Sequence, residues 1–446
     1  MFKRFFGLKS LWVVLIFFCV WLWRAWSWQD SFRLPTAEEV VRDFVLLPVL
    51  ICAALWLLKS TVYLVKSKGT PAVATTHEAV AEQKPESTSD VDILDVELRL
   101  PVGNAPDAIV SELIRRIQPG FHNALKTADG LPVRAAWVQN LITADFDAVA
   151  PNALRLDADV QRALSLALDA LQSVAMRHFQ WTDAKADLQI HYLPPTRWDA
   201  HTTEAAEHWL VEGLAALLLP SMPFHFSVHP VSCAVDALKY LNKLNIRINN
   251  DPDAAAHVLL VSDSFIGNVP VARWDKQGRL YDIEQPEGVI PGEGACALLL
   301  GLPPVTHSIS SLARVSQVDI RQCDSFANDA THPVSVLFDQ RDGMANAVDT
   351  VISDASQRAS QQAEVAAMQH SFFPGLHPIN DSLALSVGCG ELAAVAPIAA
   401  LALAAHLSVC SQKNCLVVSV QDDGWRAATL VLSPSVEAQS AHEESV

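Results

Sequence analysis

The chain has 446 residues, half of them hydrophobic, and a formal net charge of −17. That length is enough for one large domain or two ordinary domains. The negative charge argues against a role in binding nucleic acid or anionic lipid surfaces, because both of these carry negative charge themselves. Residues 1–68 carry a net charge of +5, so the remainder, with 23 basic and 45 acidic residues, carries a net charge of −22.

Two apolar runs near the start predict a membrane anchor over residues 1–66. Residues 11–28 and 44–65 each approach the roughly 20 apolar residues that cross a bilayer as a helix. A cleaved signal peptide is the alternative for the first run, but no small-residue cleavage site follows it. Lys and Arg flank the pair on its outer sides, which predicts that both termini and the large C-terminal part lie in the cytoplasm, at a bacterial inner membrane.

The next residues, 67–92, are polar and lack periodicity, which predicts a flexible linker. Strand-like and helix-like patterns then alternate, which argues for an α/β region over residues 93–220. Its predicted strands are 94–100, 132–141 and 187–195, and its predicted helices are 108–117, 157–179 and 203–219.

The following unit places a cysteine where a strand runs into a helix. Residues 224–230 resemble a strand and residues 231–244 a helix, so Cys233 lies at the junction. The partial positive charge of a helix N-terminus favours a thiolate there. The alternative is a small buried cysteine that closes a helix–sheet contact, which is the commoner situation for a cysteine.

The stretch GVIPGEGACALLLG (Gly288–Gly301) is an apolar run bounded by turn residues. Such a run is typical of a strand buried on both faces. A similar run precedes it at residues 257–264. Beyond it, the patterns predict strands at 310–320 and 333–340 and a helix at 346–367. Residues 381–407 are predicted to form a strand, a glycine turn and a helix of small residues. A hairpin is predicted over 415–432, with its turn at Asp422–Gly424, and a polar tail over 434–446.

The eight cysteines form no CxxC pair and no Cys/His ligand spacing along the chain. A Cys410–Cys415 disulfide would need an oxidising compartment, so we expect free and mostly buried thiols in a cytoplasmic domain. The sequence also has no nucleotide-binding loop and no Ser-His-Asp arrangement. It therefore predicts no metal or cofactor, and argues against kinases, metalloenzymes and hydrolases.

The order of these features resembles the thiolase-like fold and, within it, the β-ketoacyl synthases. Pro291, Gly292, Glu293 and Gly294 match the segment that closes the N-terminal half in that family, and the resemblance spans residues 224–432. It implies a thiolase-like layered core over residues 221–433, an α/β fold. It also implies a structural role for those four residues and places Cys233 near the acyl-accepting nucleophile.

Two histidines complete the active site in that family. One belongs in a His-Gly-Thr-Gly-Thr motif after a strand of the C-terminal half, and at that position this chain has residues 339–343, DQRDG. The other belongs in a Gly-His turn before an Ala-rich helix, and there this chain has Gly388–Glu391. With both missing, we interpret the protein as non-catalytic. His225, His229 and His257 are candidate replacements, although histidines on strands and helix entries are more often structural.

The layout as a whole is similar to that of adaptor proteins of bacterial type VI secretion. Those proteins bind a lipase effector and help to load it onto the secretion spike. The resemblance implies a protein partner for this chain, and the thiolase-like family also implies a homodimer. The alternatives are an acyltransferase or condensing enzyme that uses Cys233, and a non-catalytic module that binds an acyl carrier or a lipid.

Overall fold

The computed structural model describes residues 90–142, 156–181, 187–218, 223–250, 256–301, 311–322, 333–339 and 347–434. The predicted membrane anchor, nearly all of the predicted linker and residues 435–446 lie outside the described residues. Within the described part of the chain, no helix combines the length and the apolar character that a bilayer crossing needs.

An 11-stranded sheet organises the described residues. In chain order, the strands are β1 (Val91–Arg99), β2 (Phe121–Lys126), β3 (Pro132–Arg134), β4 (Leu188–Leu193), β5 (Phe224–Val228), β6 (Ala256–Ser264), β7 (Glu293–Gly301), β8 (Ala313–Val315), β9 (Asp319–Gln322), β10 (Val348–Ser353), β11 (Ser382–Ala384), β12 (Asn414–Ser419) and β13 (Trp425–Leu432). The sheet runs β11-β10-β12-β13-β8-β1-β7-β6-β4-β5, with β9 beside β13, while β2 and β3 form a separate hairpin.

Nine helices accompany these strands in the described ranges. They are α1 (Pro106–Ile114), α2 (Ala158–Trp181), α3 (Ala200–Ala215), α4 (Ala234–Asn250), α5 (Asn268–Lys276), α6 (Pro333–Asp339), α7 (Ala359–Phe372), α8 (Leu385–Cys389) and α9 (Val395–Ser411). Most of these helices pack against the sheet or the β2–β3 hairpin, whereas α8 packs against α1 and α9.

The strand β7 is buried on both faces, as its sequence predicts. Cys296 and Leu298 face a core shared with α4 and α9, whereas Ala297 and Leu299 face a core shared with α2 and α3. A third core lies between β10, β12 and β13 on one side and α6 and α7 on the other. Helices and the two halves of the sheet therefore alternate in layers, and α9 lies in the middle layer, with most of its length buried.

Two predicted elements in the second half are wrong. The predicted strand at 333–340 is the helix α6, and the predicted helix at 346–367 begins with the strand β10 and becomes helical only at Ala359. Short apolar runs such as PVSVLF do not distinguish a strand from a buried helical turn, because periodicity needs more length. The error about β10 matters because the residue that follows this strand, Asp354, belongs to the candidate functional site described below.

The first part of the described chain belongs to the same sheet as the second. β4 pairs with both β5 and β6, and β1 pairs with β7 and β8. The regions predicted as 93–220 and 221–433 therefore share one sheet rather than building two. Of the predicted strand at 132–141, only Pro132–Arg134 is a strand, and the predicted strand at 310–320 divides into β8 and β9.

Candidate functional site

Cys233 lies directly before the first residue of α4, after the end of β5, as the sequence predicts. Its thiol is free and half-buried. Burial raises the pKa of this thiol, and a hydrogen bond to the Asp422 carboxylate together with its negative charge raises the pKa further. A backbone hydrogen bond from Asp236 in the first turn of α4 opposes this shift, in the direction expected of a helix N-terminus, but the surroundings of Cys233 together favour the protonated form.

Two carboxylates neutralise the N-terminus of α4. Asp422, which follows β12, accepts a hydrogen bond of 2.8 Å from the backbone N–H of Val235. On the other side, the backbone N–H of Ser232 donates a hydrogen bond of 3.1 Å to Asp236, and the Ser232 hydroxyl donates to the same oxygen. Negative groups at this end of a helix are stabilising. They also cancel the positive potential that would lower the pKa of Cys233.

Asp354 is a fully buried carboxyl at the end of β10. The Ser419 hydroxyl and the backbone N–H of Val420 both donate hydrogen bonds to it, the second over 2.7 Å. Burial raises its pKa to about 7, and the negative charges of Asp422 and Glu391 contribute in the same direction. Near neutral pH this carboxyl therefore exchanges between its neutral and charged forms.

Glu391 follows a glycine turn in which Gly390 has a φ of +67°. Its backbone N–H donates to the carbonyl of Ile290 over 2.8 Å, which ties the turn to the PGEG segment. Its carboxylate accepts a hydrogen bond from Gln421 and lies 3.5 Å from the Arg358 guanidinium. Burial raises the pKa of Glu391, although the charge of Arg358 opposes this shift.

The segment Val420–Asp422, between β12 and β13, joins these groups. Val420 donates to Asp354, Gln421 donates to Glu391, and Asp422 accepts from the N-terminus of α4. Three successive residues thus contact three different parts of the fold. The sequence predicted the hairpin turn at Asp422–Gly424, but it gave no signal that the turn would carry the polar contacts of the site.

The PGEG segment makes two kinds of contact. A Cβ at Gly292 would lie 2.2 Å from the carbonyl oxygen of Cys389, so only glycine fits where this segment crosses the glycine turn. Glu293 is fully buried and forms an ion pair with Arg162 of α2 through both of its oxygens. It also accepts hydrogen bonds from the backbone N–H of Val138 and the Ser264 hydroxyl.

The three candidate replacement histidines lie in two different places. His225 is exposed and lies 3.3 Å from Asp187. His257 and His229 belong to a network around the buried His191, which the sequence analysis did not single out. His191 Nε2 is 3.0 Å from His257 Nδ1, and its Nδ1 is 2.9 Å from the Tyr240 hydroxyl.

The surroundings of this network favour neutral imidazoles at His191 and His229. The pKa of His191 is lowered to about 3, chiefly by burial and also by the repulsion that a protonated His257 or His229 would exert. Burial also lowers the pKa of His229, to which the charges of Arg247 and Lys243 on α4 contribute. The contacts of these imidazoles are with each other and with Ser227 and Tyr240, as expected for buried polar groups that satisfy one another.

The polar centre built around Asp354, Glu391 and Asp422 is acidic. When they are ionised, these carboxylates accept hydrogen bonds, cannot donate them and repel any negative charge that develops next to them. Burial raises the pKa of Asp354 and of Glu391, so both groups also take up a proton more readily than an exposed carboxyl. A thiol whose pKa is raised is a poor nucleophile, because the thiolate is the reactive form. The arrangement is therefore suited to holding protons or a cationic group.

Searches against family models and curated proteins return no match, whereas solved structures match over most of the chain. The ishigamide ketosynthase/chain length factor shares 15% identity over 77% of this chain and 99% of its own, with a TM-score of 0.53. The chain has a ketosynthase-like fold. Because a likeness at this identity shows only the fold, the activity of these proteins does not follow for this one.

Two further ketosynthase structures give the same result. A β-ketoacyl synthase from Burkholderia phymatum STM815 has 12% identity, covers 77% of this chain and 99% of its own, and has a TM-score of 0.53. AntDE:AntF, a type II polyketide synthase acyl-carrier protein in complex with its ketosynthase, has 13% identity over 78% of this chain and all of that chain, with a TM-score of 0.53. The ketosynthase-like fold therefore extends well beyond residues 224–432, where the sequence resemblance was placed.

Proposed function

We propose that this protein has lost the condensing chemistry of its fold and acts as a binding protein. The observation that carries the proposal is that acidic residues follow a strand of the C-terminal half and the glycine turn, the two kinds of position at which the resemblance implies the synthase histidines. Asp354 follows a strand of the C-terminal half, and Glu391 follows the glycine turn before the Ala-rich α9. We assign the first place to Asp354 instead of residues 339–343, because β10 is a strand and not the helix that the sequence predicts.

The physical reason is the charge that condensation develops. Attack of a thiolate on an acyl thioester and formation of an enolate both create negative charge, which needs hydrogen-bond donors or cations nearby. Asp354 and Glu391 supply carboxyl groups there, and Asp422 favours the protonated form of Cys233. The ionised forms of Asp354 and Glu391 act against the reaction, and so does the raised pKa of Cys233.

The partner that we propose is a protein. In its narrow form, the hypothesis is an adaptor that binds a secreted lipase effector and helps to load it onto a type VI secretion spike. The support is the similarity in layout: two apolar N-terminal runs, an acidic remainder of the chain and an altered centre. The anchor at residues 1–66, the inner-membrane location and a homodimer belong to the same hypothesis and rest on sequence alone.

A first experiment tests the binding function. The full-length protein, tagged at its C-terminus and expressed in its native cell, is purified with its partners, which are identified by mass spectrometry. We expect a secreted lipase and a spike component to be enriched over a control with an unrelated tagged membrane protein. Repeated purifications that contain no secretion component would contradict the adaptor hypothesis.

A second experiment tests the enzymatic alternative, in which Cys233 accepts an acyl group. The protein and its Cys233→Ala variant are incubated with an acyl-thioester donor or a cysteine-directed synthase inhibitor, and the modified peptide is sought by mass spectrometry. We expect no selective modification of Cys233. Rapid acylation of Cys233 that is lost in the variant would support an acyltransferase or condensing enzyme instead. Retention of an acyl carrier or a lipid without acylation would support the non-catalytic module that binds one of these ligands.

A further inference from the structure

A second group of reactive side chains lies away from this centre, between α1 and α9. His406 and Cys410 are four residues apart on α9, so they share one face of the helix. Asp107, in the first turn of α1, reaches the same point. His406 Nε2 lies 2.7 Å from Asp107 Oδ1 and 3.6 Å from Cys410 Sγ, and the three potential ligand atoms lie within 4.8 Å of one another.

The three side chains are brought together by the hydrophobic core beneath them. Ile109 and Leu113 of α1 are buried in the same cluster as the apolar length of α9, which fixes the two helices against each other. On α9 itself, the helix is buried up to Ala405, and from His406 to its end every residue except Ser408 is at least partly accessible. Asp107 is therefore held over the one stretch of α9 where polar ligands reach solvent.

A single ring nitrogen cannot satisfy both of its neighbours by hydrogen bonding. If Nε2 carries a hydrogen and donates it to Asp107, it has no lone pair left to accept from the Cys410 thiol. If Nε2 accepts from the thiol, it turns a lone pair toward the Asp107 carboxylate. A cation among the three atoms would resolve this conflict, since all three groups are electron-pair donors when deprotonated.

We propose that Asp107, His406 and Cys410 bind Zn²⁺ or a similar divalent transition-metal ion, with water as the remaining ligand. Nitrogen, sulfur and carboxylate oxygen are the usual ligands of Zn²⁺, and bonds of about 2.0–2.3 Å put tetrahedral ligand atoms roughly 3.3–3.8 Å apart. The His406–Cys410 distance already fits. Asp107 has to withdraw by about 1 Å, which its 86% exposed side chain permits.

The position on α9 favours a cation as well. The last turns of a helix carry partial negative charge from unpaired carbonyl groups, and the last turn of α9 has no basic side chain to compensate for it. Binding of the metal releases the thiol proton of Cys410 to solvent, so the affinity rises with pH. The bound ion ties α1 to α9 across 299 residues of sequence. That separation is why the sequence predicted no metal site.

Cobalt is the probe for this proposal, because a Co²⁺–thiolate bond gives a charge-transfer absorption in the near ultraviolet. We expect the reduced, chelator-treated full-length protein to develop this band on addition of Co²⁺ and to lose it when Zn²⁺ displaces the cobalt. Cys410→Ser should abolish the band, whereas Cys233→Ser, the matched control at another accessible thiol, should retain it. No band in the unmodified protein, or a band that survives Cys410→Ser, overturns the proposal.

The other two ligands are tested by affinity and by stability. We expect His406→Ala and Asp107→Asn to weaken Co²⁺ binding by at least about tenfold. Zn²⁺ should raise the melting temperature of the unmodified protein and not that of Cys410→Ser. The melting temperatures measured without metal show whether each variant is folded, so that a lost site is distinguished from a lost fold. Unchanged Co²⁺ affinity in folded His406→Ala contradicts the assignment.

Discussion

The carboxylate of Asp422 accepts a hydrogen bond from the backbone N–H of Val235, 187 residues earlier in the chain. The contact places a negative charge at the N-terminus of α4, beside Cys233, where helix geometry alone would supply a positive potential. The protonation of Cys233 therefore depends on its burial and on the β12–β13 turn as well as on the helix that follows it.

The reactivity of Cys233 should depend on this charge. We expect Asp422→Asn to increase the rate at which Cys233 is alkylated at neutral pH by roughly threefold or more, because the neutral amide no longer raises the thiol pKa. Alkylation is followed by mass spectrometry of the Cys233 peptide. Asp423→Asn, the same change at the exposed neighbouring residue, is the control and should react like the unmodified protein. Equal rates in all three proteins would contradict the assigned role of Asp422.

The buried carboxyl of Asp354 should make stability depend on pH. Its pKa is about 7 in the folded protein and about 4 in an unfolded chain, so the folded state binds the proton more tightly. Linkage then requires that this group lower the stability as the pH rises from about 4 through 7, after which the loss is complete.

Asp354→Asn removes that dependence, because the amide stays neutral. As the pH rises from 5 to 8, we expect the variant to gain about 2 kcal/mol or more in unfolding free energy relative to the unmodified protein. Urea unfolding at several pH values measures it. A constant difference across this range would show that Asp354 does not titrate there.

The ion pair between Glu293 and Arg162 should contribute to folding. Glu293→Gln leaves the partly buried Arg162 without a counter-charge, so we expect a loss of about 3 kcal/mol in the free energy of unfolding. Glu284→Gln, the same substitution on an exposed loop, is the control and should change it by less than about 0.5 kcal/mol. If both variants are equally stable, the structural role that we assign to Glu293 is wrong.

Gly292 should not tolerate a side chain. In Gly292→Ala the new methyl group would meet the carbonyl oxygen of Cys389 on a neighbouring backbone segment. Relief of this contact requires separating the PGEG segment from the glycine turn, which we expect to cost about 2–3 kcal/mol. Gly375→Ala is the matched control, since nothing lies within 4 Å of its added carbon. Thermal melting of the two variants should differ clearly, and similar melting temperatures would contradict this account.

The sequence predicted the elements with long, clear patterns and missed those that are short. The helix α2 and the strands β6 and β7 were predicted because each has enough length or enough continuous apolar character. β10 was predicted as a helix, because its six residues read ambiguously beside the helical stretch that follows. Since Asp354 lies at the end of β10, that local ambiguity hid a site residue.

The sequence predicts only part of the site for a second reason, which is that some of its contacts join residues far apart in the chain. The strand–helix pattern singles out Cys233, and Glu391 enters only in the turn where a histidine is missing, but the Asp422 contact joins residues far apart in the chain. Nothing in the sequence indicates that the β12–β13 turn contacts the start of α4. The same holds for the Asp107–His406 contact, which exists only because α1 packs beside α9.

The position of β13 in the sheet has a consequence for how the protein is made. β13 is the last of the described strands to leave the ribosome, yet it lies between β12 and β8 and so connects the two halves of the sheet. Until it emerges, β8 and β12 each have an unpaired edge, and such edges are prone to pair with other chains. The nascent protein therefore keeps these two edges open until residues 425–432 are released, an interval in which a chaperone that covers unpaired strands would protect it.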